Sequence, residues 1–306
     1  FSSAILFGLY PAAVEPVAWI SGRFDVFSLT CLLVSFVSWI YGRKKSHAGL
    51  MTLSLLFFTL SILSKEAPFM AIFLLPLFDW LINAKRKNGD YYHKPNPRKW
   101  YLGFIAIVAA FAIVRIILLR DIGGYTDSAN RNTLLVTDFE TSWQTLFQRD
   151  LWMLITPLHR ELFWSYPAPL QSFYIWFGVI SAAWIVTNSI FSIFSAFKGR
   201  PEFFIRYLIG ILWTILFILP TITIAGVRDN LDYSRYIYLS AAGLALIVGN
   251  SAGISWNEGK FSKVYSIVLV LIMIFLSAYA TLNHLQIWVE AGRYSRTTYS
   301  TIESYA

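Results

Sequence analysis

The chain is short of charge and almost without cysteine. Only 14% of its 306 residues are Asp, Glu, Lys or Arg, where a soluble domain carries about 25%. That deficit excludes an ordinary water-soluble domain. The single cysteine, Cys31, lies in an apolar run, so no intrachain disulfide can form. Metal-spaced Cys/His clusters, phosphate-cradling Gly-rich loops and nucleophile elbows are missing too. Soluble nucleotide chemistry therefore has no support. The chain opens without methionine or a signal peptide; FSSAILFGLY reads as the end of an apolar helix already under way. The expectation is an internal piece of a longer protein.

What is there is apolar. Hydrophobic residues make up 57% of the chain and aromatics 18%. They fall in blocks of membrane-spanning length at 27–42, 48–64, 67–84, 100–119, 171–197, 207–226, 236–254 and 264–284, after a partial block at 1–10. Backbone groups in lipid must pair within their own segment, and none of these blocks shows the alternation of a membrane β-strand. The pattern predicts an all-α polytopic transmembrane bundle of about nine spans.

Lys and Arg bias sets the orientation. The connections 42–47, 85–99, 198–206 and 257–263, with Asp79 counted alongside, hold 14 of the 25 basic residues and 4 of the 17 acidic ones. They alternate along the chain, which makes one cytoplasmic side self-consistent. The net charge of +8 is thus a topology signal, and no nucleic-acid partner is expected. The opposite side carries Glu15, Arg23 and Asp25, then Lys65 and Glu66, the long segment 120–170, GVRDNLDYSRY (226–236) and the tail after 285. Within the long segment, 143–167 is rich in Trp, Phe and Leu around Arg149 and Asp150. It reads as an amphipathic or re-entrant helix at the bilayer surface.

Three clusters on that side combine charge with helix ends. In EPVAWISGRFD, Pro11 and Pro16 forbid a plain continuous span. Glu15 and Trp19, four apart, would share one face of a short helix. Asp25 suits the first turn of the next span. The charges are either interface anchors or markers of a substrate path. In SILSKEAPF, Lys65 and Glu66 form either a polar turn before Pro68 or a cation offered to an anionic group. In GVRDNLDYSRYIYL, Arg228, Asp229, Asp232 and Arg235 precede a span, with Tyr233, Tyr236 and Tyr238 interleaved. An aromatic belt explains the tyrosines. Two arginines on the non-cytoplasmic side run against the bias, and a lipid-linked phosphate is the natural reason for them. His159, Arg160 and Glu161 read as solvated loop charge, and Arg115 as a side chain snorkelling out of its span.

LYPAAVEPVAWISGRFDVFSLTCLLVSFVSWIYGRKK (9–45) resembles a segment of the polytopic GT-C glycosyltransferases with the pattern H-P-x-x-x-E-x-V-A-W-I-x-x-R-x-D. LSKEAPFMAIFLLPLFDW (63–80) and DYSRYIYLSAAGLAL (232–246) resemble two later segments of that family. The tail IWVEAGRYSRTTYSTIESYA (287–306) looks like the link into C-terminal repeats. The nearest group is the membrane O-mannosyltransferase-like proteins with tetratricopeptide repeats. Tyr10 stands where many members have His, and YIYLSAAG after Arg235 lacks the usual proline.

The resemblance implies a GT-C-like transmembrane domain over 1–284 and an extracytoplasmic link over 285–306. It implies transfer of a sugar from a polyprenyl-phosphate-linked donor to a protein or glycan acceptor on the extracytoplasmic side. The host membrane would be a bacterial inner membrane or one of ER type. By position, Arg23, Lys65 and Arg235 become the donor-phosphate ligands. Glu15, Asp25, Glu66, Arg228, Asp229 and Tyr236 become supporting or acceptor-orienting residues. An acidic residue serving as base, or as contact for a divalent cation, is expected in a loop before Phe1. Two other readings stay open: an O-antigen polymerase or ligase type of envelope enzyme, and a non-catalytic membrane scaffold. A transporter would set charge near the bilayer midplane on discontinuous helices, and here the charge sits at helix mouths.

Overall fold

The structure is a computed structural model and describes residues 2–84, 97–119, 146, 150–155, 167–222, 234–258 and 260–305. Its regular elements are all helical among these residues. They are α1 (Ser2–Gly8), α2 (Val14–Ala18), α3 (Arg23–Lys45), α4 (Ala48–Ser64), α5 (Leu75–Ala84), α6 (Arg98–Leu119), α7 (Leu151–Ile155), α8 (Ala168–Phe197), α9 (Pro201–Ile222), α10 (Arg235–Glu258) and α11 (Lys260–Tyr305). Short 3₁₀ turns fill 11–13 and 20–22, and a longer one, Ala67–Leu74, leads straight into α5. Among the described residues, seven helical stretches are long and apolar enough to cross a membrane, and α4 adds an apolar helix of 17 residues. The partial block at 1–10 is α1. The chain is an all-α polytopic bundle, as its apolar blocks predict, and an integral membrane protein.

Local chemistry sets the breaks. Ser46 takes the left-handed conformation (φ 55°) that closes α3. The next residue, His47, opens α4 by accepting the Leu50 N–H on Nδ1 at 3.3 Å. A two-residue turn therefore folds α4 back along α3. The pair is stitched by serines, whose small side chains let helices approach in lipid. Ser28 Oγ donates to the Ser61 carbonyl (3.0 Å) and Ser61 Oγ to the Ser28 carbonyl (2.8 Å). Ser35 and Ser54 repeat the exchange, both at 2.8 Å.

α10 is the central helix. In its spanning window 72% of residues are buried, against 6% in α6, which is peripheral. Its small-residue sequence allows this: a Cβ on Gly243 would stand 2.7 Å from the Thr214 nitrogen and 2.8 Å from the Gly210 carbonyl of α9. One apolar core joins α3, α4, α5, α6, α9 and α10 around Trp39, Phe58, Phe104 and Trp213. A second joins α1, α7, α8, α10 and α11. α7 contributes buried Met153 and Leu154 to that second core and leaves Trp152 exposed, so this part of the long loop is tucked into the bundle. Leu146 and Asp150 are also buried; the other residues of 120–166, including Arg149, His159, Arg160 and Glu161, lie outside the described residues.

Candidate functional site

The charged clusters expected on one side of the membrane meet at one end of the bundle. The segment between α1 and α3 is pinned first. Thr281 Oγ1 of α11 donates to the Leu9 carbonyl (2.7 Å), and Tyr10 Oη donates to the Met153 carbonyl (2.5 Å). Tyr10, the departure from the family's histidine, thus ties the segment to α7. Prolines 11 and 16 then turn the chain through a 3₁₀ turn and the short α2. α2 ends at Trp19, whose N–H bonds the Glu15 carbonyl (3.0 Å). Gly22 is required for the return into α3: a Cβ there would fall 2.8 Å from the Pro16 Cα and 3.1 Å from the Glu15 carbonyl oxygen.

This fold-back buries Glu15 against the start of α10. Its Oε2 accepts from the Arg235 backbone N–H (3.1 Å) and from Ser234 Oγ (3.3 Å). A carboxylate from 220 positions away thereby caps the positive end of the central helix. Its Oε1 lies 3.7 Å from Arg235 Nε. The guanidinium is also held by aromatics, 4.1 Å from the Trp19 ring centroid and 5.0 Å from that of Tyr236. It donates to Tyr236 Oη at 3.2 Å. Glu15 and Trp19 both face Arg235, although α2 ends at Ala18 and Trp19 is extended, so they do not share a helix face as their spacing predicts.

Asp25 occupies the first turn of α3 and is buried. Its Oδ1 meets Lys65 Nζ at 3.1 Å. Lys65 is positioned by the end of α4, with its N–H on the Ser61 carbonyl at 3.1 Å. Pro68 lies in the first turn of the 3₁₀ helix that follows, as expected from SILSKEAPF. Glu66 reaches the other way, to Arg115 Nη1 of α6 at 3.6 Å. Asp25 is also within electrostatic reach of Arg235 and Glu66, which places the pairs near one another.

Six of the expected site residues therefore converge: Glu15, Asp25, Lys65, Glu66, Arg235 and Tyr236. Arg23 is at the same end, exposed at the start of α3, and makes no ion pair among the described residues. Glu15 and Asp25 hold Arg235 and Lys65, not Arg23. Arg228 and Asp229 lie outside the described residues. Sequence reasoning passed over Arg115, read as snorkelling outward. It is only 19% exposed and faces Glu66; a charge inside an apolar span was the available signal. Ser234 had no signal beyond its place before a helix.

The arrangement is suited to holding an anion. Lys offers three N–H donors and Arg five, and one carboxylate occupies only part of each set. The acids fix the cations in place and leave donors over. No three His, Cys, Asp or Glu side chains among the described residues converge as metal ligands, and each carboxylate here faces a cation. The donor set fits a phosphate better than a divalent cation.

No family model and no solved structure matches this chain. It is 30% identical over 89 residues to protein O-mannosyl-transferase Tmtc1 of Drosophila melanogaster. The shared stretch is 29% of this chain and 10% of that protein, so the chain spans a small fraction of the curated relative it matches. The likeness is distant, and it is to a glycosyltransferase.

Proposed function

We propose that this chain is part of a membrane glycosyltransferase that takes a sugar from a polyprenyl-phosphate-linked donor. The sugar passes to a protein or glycan hydroxyl on the extracytoplasmic side, and mannose is the sugar that the relative's name favours. The observation that carries the reading is the ring of carboxylate-held cations at one end of the bundle, with Arg23 beside it as a further cation.

The chemistry asks for such a ring. The acceptor hydroxyl oxygen bonds to the anomeric carbon as the bond from that carbon to the phosphate oxygen breaks. The electron pair leaves with the polyprenyl phosphate, and the hydroxyl proton goes to a base. Fixed cations stabilise the charge that grows on the leaving phosphate. Lys65, Arg235 and Arg23 take that role, with Arg115 at the edge. Glu15, Asp25 and Glu66 orient them, and Tyr236 steadies Arg235. Arg228 and Asp229, which precede α10 in the sequence, are assigned supporting roles from that place in the sequence alone. The three described carboxylates here, Glu15, Asp25 and Glu66, are committed to cations, so the base is a group other than these.

The test is transfer by the full-length protein in proteoliposomes with a polyprenyl-phosphate sugar. Arg235→Ala is expected to lower turnover about 10²–10³-fold, the usual effect of losing one charge-stabilising donor. Arg23→Ala is expected to lower it less. Unchanged transfer in the double variant overturns the assignment. The commitment of these three carboxylates also favours a second reading, a non-catalytic scaffold. That reading is the one left if the full-length protein transfers no sugar from any such donor.

A further inference from the structure

At the opposite, lysine-bearing end the bundle holds a feature unconnected with the charged rim. A groove of about 450 Å³ lies between α1, α10 and α11. Glycines make it. Gly249 and Gly253 are four apart on one face of α10, both line the groove, and a Cβ on Gly253 would meet nothing within 4 Å. Val270 and Ile274 of α11 form the facing wall, and exposed Ile267 and Leu271 form the outer lip. The groove thus opens sideways, where lipid would lie. Ser266 also lines it; this residue is 3% exposed and its Oγ has no hydrogen-bond partner among the described residues.

The mouth is charged. Trp256 closes the groove at this end, and Lys263 Nζ stands 3.5 Å from its ring centroid. Lys260 is exposed one turn earlier. Neither lysine makes an ion pair among the described residues. An apolar slot with a Trp and two unpaired lysines at its mouth has the polarity of an anionic amphiphile. Its volume is in the range of small-molecule sites, roughly 300–1,000 Å³. A helix, about 10 Å across with its side chains, would overfill it within a turn or so. We infer that this groove binds one acyl chain of an anionic phospholipid from the adjoining leaflet, with the headgroup on Lys263 and Lys260 and the Ser266 hydroxyl facing the chain.

The test uses the intact protein in phosphatidylcholine vesicles containing a minor fraction of brominated phosphatidylglycerol or brominated phosphatidylcholine. Bromine quenches nearby tryptophan, and the difference between the protein and Trp256→Phe isolates Trp256. The expected result is about five-fold tighter quenching by the anionic lipid. Lys263→Gln should erase that preference and Lys263→Arg should keep it. Gly253→Phe, which fills the slot, should abolish the quenching at unchanged far-ultraviolet helicity. Equal quenching by both lipids overturns the proposal and leaves only bulk annular lipid. A Trp256 that neither lipid quenches overturns it too and assigns the groove to protein, whether another segment or a second copy.

Discussion

Arg43 at one end of the bundle and Arg235 at the other both face a carboxylate, but their surroundings differ. Arg43 Nε meets Asp79 Oδ1 at 3.0 Å, and Tyr101 Oη takes the other carboxylate oxygen at 2.9 Å. Arg43 and Asp79 are both buried, the guanidinium lies 5.8 Å from the Trp39 ring centroid, and Trp39 packs edge-on to Phe104. Both oxygens of the acid are taken, and the cluster ties α3, α5 and α6 together. At the other end three pairs stand at 3.1, 3.6 and 3.7 Å, Glu66 is 47% exposed, and Arg23 makes no ion pair among the described residues. The first arrangement is closed and holds helices. The second is open and holds cations with donors to spare. Ion pairing alone does not distinguish a brace from a site; the unused donors do.

The comparison can be broken by substitution. Arg43→Ala strands the buried Asp79 and is expected to cost about 3–5 kcal/mol, read as a fall in thermal stability in detergent. Arg43→Met with Asp79→Leu should recover most of it. If Arg43→Ala instead lowers transfer at unchanged stability, the two ends do not differ in kind. Gly22→Ala comes next. Its Cβ meets backbone, so about 1–3 kcal/mol of strain is expected. Because the strain displaces α2, transfer should fall further than the melting temperature accounts for. The smallest effect is expected at neither end. Ser35→Ala and Ser54→Ala should each cost about 0.6 kcal/mol, measured by reversible unfolding in mixed micelles, with transfer little changed.

Much of the fold was legible because lipid demands long apolar runs, and those runs cannot be hidden. The turn at Pro68 and the interruption at Pro11 and Pro16 were equally plain. The site was legible by side of the membrane but not by pairing. That Glu15 caps α10 depends on contacts 220 positions apart, and no local pattern encodes them. Arg115 went unread because snorkelling and inward pairing leave the same mark on a sequence. The tail after 285, expected to be a link, continues α11 as helix to Tyr305, a conformation that the link reading left open. Its exposed charges and Gly292 gave no sign of that continuity.

The serine exchanges between α3 and α4 act as a gauge. Ser28 and Ser35 are seven apart, as are Ser54 and Ser61, so both contacts form in a single register. Sliding one helix by a turn breaks all four hydrogen bonds at once. Asp25 lies less than a turn beyond Ser28, and Lys65 about a turn beyond Ser61. The height at which acid and cation meet is therefore measured out from within the membrane, by groups that never touch the charge they align.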